Sequence, residues 1–321
     1  MKKIDVPQRI SKQMQEVLAK QNELAGNAFA TDVGFEEMRK NYLKERKFWN
    51  EGGPQPFRIE DCTIDGPHGD IPIRFYTPSE SKMLPGIIYV HGGGYTLGNL
   101  DTHDRIMRVL SDRSGAVVIG VDYRLSPEAK FPSAIEESAT VARYLHEYGA
   151  KHGVNGDDLS FAGDSGGASI CLGTTLYLRD QIAESSYIKT LLLYYGSYGL
   201  RDSVSQRLLG GAWDGLEQHD LEYYLQCYCS DVEHDRKSPY IDSLSADYSR
   251  GLPPCYIASA EFDPLRDDSA ALALILKEEG LVYQYEMFEG VVHAFLHHSR
   301  MLDEAYVAFD HGTAFFKENR D

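Results

Sequence analysis

The pentapeptide Gly163-Asp164-Ser165-Gly166-Gly167 constrains this chain more than any other stretch. A short apolar run at 159–162 precedes it and reads as a strand, and residues 168–179, rich in small and apolar side chains, read as a buried helix. A serine at such a junction sits on a sharp turn that lifts its hydroxyl off the end of a sheet, above a helix N-terminus. The turn strains the serine backbone, and side chains two residues to either side would strike the adjoining strand and helix. Glycine at 163 and 167 answers both demands. The same letters surround the nucleophile of trypsin-like proteases, but that all-β fold places its histidine and aspartate before the serine. Here a helical stretch follows, and the acid and base candidates come after it.

At 321 residues the chain is long enough to bury about 75% of its unfolded surface in one large domain. A net charge of −17 argues against nucleic acid and anionic membrane as partners, since both would be repelled. Met1-Lys2-Lys3 is basic, but Asp5, Gln8 and Arg9 interrupt any signal-peptide core, and no apolar run approaches membrane-spanning length. The five cysteines (Cys62, Cys171, Cys227, Cys229 and Cys255) are odd in number and scattered, which is the usage of a reduced compartment. The expectation is a cytoplasmic protein.

Ile10, Met14, Val17 and Leu18, then Phe35, Met38, Tyr42 and Leu43, repeat at helical spacing, which predicts two amphipathic helices before residue 50. Periodicity leaves open whether they cover one edge of the core or form part of a lid. Residues 57–64 and 71–76 read as an antiparallel pair. Strands at 86–90, 116–121, 159–162, 190–195, 255–260 and 282–288 then alternate with helices at 102–114, 132–148, 165–180 and 267–279. The fold class expected is α/β, a mostly parallel sheet with helices on both faces. The polar and aromatic block 199–250 is too long for a simple crossover and reads as an insertion capping the strand ends. The organisation is therefore N-terminal helices at 1–50, core segments at 51–198 and 251–321, and the insertion between them.

In such a sheet ligands bind beyond the C-terminal strand ends. After Val90 comes His91-Gly92-Gly93-Gly94-Tyr95, whose consecutive glycines free backbone N–H groups to face a developing oxyanion, with another from Gly166. After 257–260 comes Asp263, on a loop before Pro264 and suited to orienting a histidine; Asp267 and Asp268, where the next helix begins, are adequately explained by capping or dipole neutralisation. After the last strand comes His293. The order Ser165, Asp263, His293, each behind a strand, reads as nucleophile, orienting acid and base. His293 and His297 share the i, i+4 spacing of a helical metal pair, but lack an adjacent glutamate and a clear third ligand, so neither metal nor organic cofactor is expected.

Together with Asp122-Tyr123-Arg124-Leu125-Ser126-Pro127-Glu128 and Asp263-Pro264-Leu265-Arg266-Asp267, these motifs resemble the hormone-sensitive-lipase branch of the α/β-hydrolases. The runs from Gly98 to Arg108 and from Leu209 to Leu216 extend the resemblance to the bacterial acetyl esterases within that branch. One departure is that the branch usually has alanine where Gly166 stands and glycine where Ala168 stands. The resemblance implies an α/β-hydrolase fold with Ser165 as nucleophile, His293 as base and Asp263 as its partner. It also implies Gly92, Gly93 and Gly166 as the oxyanion hole, a cap from the N-terminal helices and the insertion, and short-chain acyl esters as substrates. An amidase or peptidase using the same triad and a binding protein on the same fold are the rival readings. A homodimer and a regulatory protein contact are further partners with which catalysis is compatible.

Overall fold

The computed structural model describes residues 3–24, 28, 31–211 and 213–320. Met1, Lys2 and Ala212 of the sequence motifs lie outside the described residues. Eight strands form one sheet: β1 (Arg58–Ile64), β2 (Ile71–Thr77), β3 (Leu84–Val90), β4 (Val117–Val121), β5 (Val154–Asp164), β6 (Ile188–Tyr194), β7 (Cys255–Phe262) and β8 (Tyr283–Val292). Their spatial order is β1-β2-β4-β3-β5-β6-β7-β8. The first two are antiparallel to their neighbours, as the hairpin signal predicts, and all pairs from β4 onward are parallel.

The central strands are largely apolar because both faces are covered, and alternate residues feed two cores. On β3, Ile88 and Val90 point to one face and Ile87 and Tyr89 to the other. The first face packs against α4 (Ser133–Tyr148), α5 (Gly166–Tyr177) and α9 (Arg266–Glu278), through residues such as Ile135, Leu172 and Leu272. The second packs against α3 (Asp104–Ser114) and α10 (Asp303–Asn319), through Met107, Leu110, Phe309 and Phe316. The N-terminal helices α1 (Lys12–Leu24) and α2 (Phe35–Asn50) join this second face, where Met14, Val17 and Trp49 are buried.

Segment 199–250 carries three short helices, α6 (Val204–Leu208), α7 (Gln218–Tyr228) and α8 (Val232–Asp235). The N-terminal helices reach it through side chains: Gln21 donates to the Trp213 carbonyl at 2.9 Å, Phe35 stacks on Tyr223 and Met38 lies against the Tyr223 hydroxyl. The end of α2 is fastened to the core by two arginines of α3. Arg105 donates to the Glu51 carbonyl, and Arg108 to those of Asn50, Gly52 and Pro54, so that helix-terminal carbonyls without intrahelical partners are satisfied. No helix among the described residues is long and apolar enough to cross a membrane.

Candidate active site

Parallel pairing sets Val90 beside Gly163, Asp164 beside Tyr194 and Phe262 beside Val292, so the residues that follow these strands emerge at one sheet edge. Ser165 is the first residue past β5, at φ 51° and ψ −125°, with its N–H bonded to the Tyr194 carbonyl at 2.8 Å. That conformation is rare for a residue with a side chain and holds the hydroxyl clear of the sheet. A Cβ at Gly163 would lie 2.8 Å from the Val90 carbonyl oxygen, and one at Gly167 would lie 2.6 Å from the His91 carbonyl oxygen, which is the steric demand expected of both positions. At Gly166 a Cβ would meet only Tyr95 and Gly94, at 3.4 Å and beyond.

His293, one residue past β8, places Nε2 2.8 Å from Ser165 Oγ and Nδ1 2.7 Å from Asp263 Oδ2. Asp263 is fully buried, and its second oxygen accepts from the Leu265 N–H at 2.8 Å, which fixes the carboxylate plane. Burial alone would lower the His293 pKa. The bonded Asp263 carboxylate and the charges of Asp214 and Asp164 outweigh it, so the imidazole is raised above its ordinary 6.5. Asp214 itself, in the loop before α7, is pushed up to about 7 by burial despite accepting the Gly211 and Leu216 N–H groups.

The glycine loop departs from expectation at one residue. The Gly92 N–H donates to Asp164 Oδ1 at 2.9 Å and Gly92 is buried, so it does not face the serine. The N–H groups of Gly93 and Gly94, next in the loop and partly exposed, donate to no acceptor among the described residues, and Gly94 lies against Gly166. Of the expected set of Gly92, Gly93 and Gly166, the Gly92 N–H is thus the one already bonded to a side chain. Asp164 and Tyr123, to which the sequence motifs assigned no role, hold the loop. Asp164 also accepts from the Tyr89 hydroxyl at 2.7 Å, while Tyr123 stacks on His91 and donates to its carbonyl at 2.9 Å. Burial opposes the Asp164 charge, but His103, Tyr89 and the Gly92 N–H hold its pKa down to about 2.

His297 does not pair with His293. It lies on the short turn Phe295–His298, outside any long helix, with Nε2 3.7 Å from Asp164 Oδ2. His103, Asp164 and His297 are the one trio of ligand-type side chains close enough to share an ion among the described residues. Asp164 already accepts two hydrogen bonds there, from the Tyr89 hydroxyl and the Gly92 N–H, and burial holds His297 neutral beside it. Asp267 and Asp268 also differ from expectation. Asp267 accepts from the Ser205 N–H, and Asp268 accepts from those of Tyr198, Gly199 and Leu200, so both grip the start of segment 199–250.

A cavity open to solvent is lined by Ser165, Gly166 and Tyr95, with Leu216, Leu221 and Leu225 of segment 199–250 in its wall. No residue of the N-terminal helices lines it; they support α7 from behind.

A family model of the α/β hydrolase fold matches residues 87–297. An acetyl esterase of Salmonella typhi is 46% identical over 285 residues, covering 89% of this chain and 87% of that protein. An acetyl esterase of Salmonella agona (strain SL483) is 44% identical over 314 residues, covering 98% of this chain and 96% of the other. Among solved structures, a hyperthermophilic esterase from the archaeon Pyrobaculum calidifontis superposes with a TM-score of 0.89 at 33% identity, covering 97% of this chain and 98% of that one. EstE1, a thermostable carboxylesterase cloned from a metagenomic library, gives 0.85 at 28% identity over 90% of this chain and 98% of its own. With this fold, these motifs and these relatives, the chain belongs to the hormone-sensitive-lipase-like family of α/β-hydrolases.

Proposed function

We propose that this carboxylic ester hydrolase is a serine esterase for short-chain acyl esters, acting through an acyl-enzyme on Ser165. The observation that carries the reading is the unbroken relay from Asp263 through His293 to the Ser165 hydroxyl, at 2.7 and 2.8 Å, at the wall of an open cavity. His293 Nε2 takes the hydroxyl proton as Oγ attacks the ester carbonyl, and Asp263 stabilises the imidazolium and keeps the ring in register. The tetrahedral oxyanion is met by the N–H groups of Gly93, Gly94 and Gly166. His293 then protonates the departing alcohol, and water repeats the sequence on the acyl-enzyme.

Short acyl groups are favoured because the leucines of the cavity wall alternate with charged and amide side chains, which a long alkyl chain would desolvate without compensation. The relatives named acetyl esterases point the same way. The five cysteines are all unpaired thiols, which suits work in the cytoplasm. The test is hydrolysis of p-nitrophenyl acetate, butyrate, octanoate and palmitate beside Ser165→Ala. The reading expects acetate and butyrate to be cleaved best and the variant to lose about 10⁴-fold or more of kcat. A variant retaining near-normal turnover, or a preference for palmitate, would overturn it.

A further inference from the structure

Part of the cavity wall is not what the transfer of a short acyl group requires. Besides Ser165 it is lined by six planar polar side chains, Arg201, Gln206, Gln218, Glu222, Arg236 and Asp242, all from segment 199–250. They make few bonds to the rest of the protein, and Arg201, Gln218 and Glu222 are exposed. Neither Arg201 nor Arg236 forms an ion pair among the described residues, although both are near enough to Asp242 to draw its carboxyl down against the burial that raises it. Gln206 and Gln218 use only their amide N–H groups, on the Leu200 carbonyl and on Glu222.

Charge narrows what such a wall can receive. An anionic group would meet Glu222 and Asp242, and a cation would meet Arg201 and Arg236. An apolar alcohol lying here would strip water from both signs of charge and return no hydrogen bonds. A neutral hydroxyl both donates and accepts, and several of them at fixed spacing match a wall of interleaved donors and acceptors. Resting on the serine-esterase reading above, we infer that the alcohol part of the substrate is a neutral polyhydroxylated group, an O-acylated sugar or similar polyol. Its acyl group lies at Ser165 and its free hydroxyls lie against Arg201, Arg236 and Asp242.

The experiment compares kcat/KM for methyl 6-O-acetyl-glucoside, cyclohexylmethyl acetate and 3-acetoxypropanoate, in the wild type and in Arg201→Leu, Arg236→Leu and the double variant. The wild type should prefer the sugar acetate to the cyclohexyl ester by about tenfold or more, the worth of one or two well-made hydrogen bonds. The double variant should cut that ratio by about tenfold, because both guanidinium groups are then gone. No preference in the wild type, a ratio untouched by the double variant, or 3-acetoxypropanoate as the best substrate would each overturn the inference. Hydrolysis of p-nitrophenyl acetate by the wild type separates the two failures: if it is absent the esterase reading falls, and if it is present only the polyol assignment does.

Discussion

Asp164 precedes the nucleophile yet touches neither Ser165 Oγ nor the His293 ring, and its carboxylate sets where the glycine loop begins. One oxygen accepts both the Tyr89 hydroxyl and the Gly92 N–H, which fixes the start of the loop whose next two N–H groups are left without an acceptor among the described residues. Asp164→Asn keeps the shape and removes the charge, so kcat on p-nitrophenyl butyrate should fall about 10- to 100-fold with KM little changed, in line with the worth of hydrogen bonds to a charged acceptor. A wild-type kcat would detach the loop from this anchor. His293 acts as a base only when neutral, and its pKa is raised, so kcat/KM should fall as pH drops through a midpoint above 6.5. A midpoint below that value would contradict the influence assigned to Asp263, Asp214 and Asp164. Gly166→Ala should stay active, since its Cβ meets ordinary contacts, whereas Gly167→Ala should fail to fold or to turn over because of the Val90 and His91 carbonyls. Ser165, Asp263 and His293 were legible in the sequence because each directly follows a strand. That the Gly92 N–H is taken up by Asp164 was not, because it depends on a buried acceptor on another strand.

At the scale of elements, the attachment of segment 199–250 rests on the first turn of α9. Asp268 is buried, accepts three backbone N–H groups from residues 198–200, and is pushed up to about 7, chiefly by burial. Its folded pKa lies above its ordinary 3.8, so the folded protein binds more protons than the unfolded between those values. Stability from this group therefore declines as pH rises across that window and is level above it. Asp268→Asn mimics the protonated acid and should remove that slope, read as the difference between wild-type and variant melting temperatures from about pH 4.5 to 8. Asp268→Ala strands the three donors and should cost about 2 to 4 kcal/mol. Parallel wild-type and Asn curves would place the raised acid elsewhere. From sequence, an aspartate pair opening a helix reads as a cap; that both side chains instead turn to a segment 60 to 70 residues earlier, as the separations of 62 to 70 show, is a tertiary choice that no local pattern encodes.

For the molecule as a whole, the alternation of strands and helices disclosed the sheet and its edge, but not the place of the N-terminal helices. Periodicity leaves open whether they cover one edge of the core or form part of a lid; in the fold their apolar faces are packed on the core. Val6, Met14, Val17, Met38 and Trp49 are each no more than 1% exposed, and Arg39 on α2 holds the Thr96 and Ser126 carbonyls together with Glu128. Burying five such side chains is worth about 7 to 15 kcal/mol, as large as the whole stability of a typical domain. Deleting residues 3–50 should therefore unfold the chain, seen as loss of the cooperative thermal transition; a folded, active remainder would show that the core does not depend on them. The central claim is covalent: Ser165, activated by His293, carries the acyl group. The most direct measurement is treatment with diethyl p-nitrophenyl phosphate, followed by intact mass and peptide mapping. One phosphoryl group per chain is expected, on Ser165, with activity lost in proportion and no label in Ser165→Ala. Label on another residue, or complete inhibition with no covalent adduct, would contradict it.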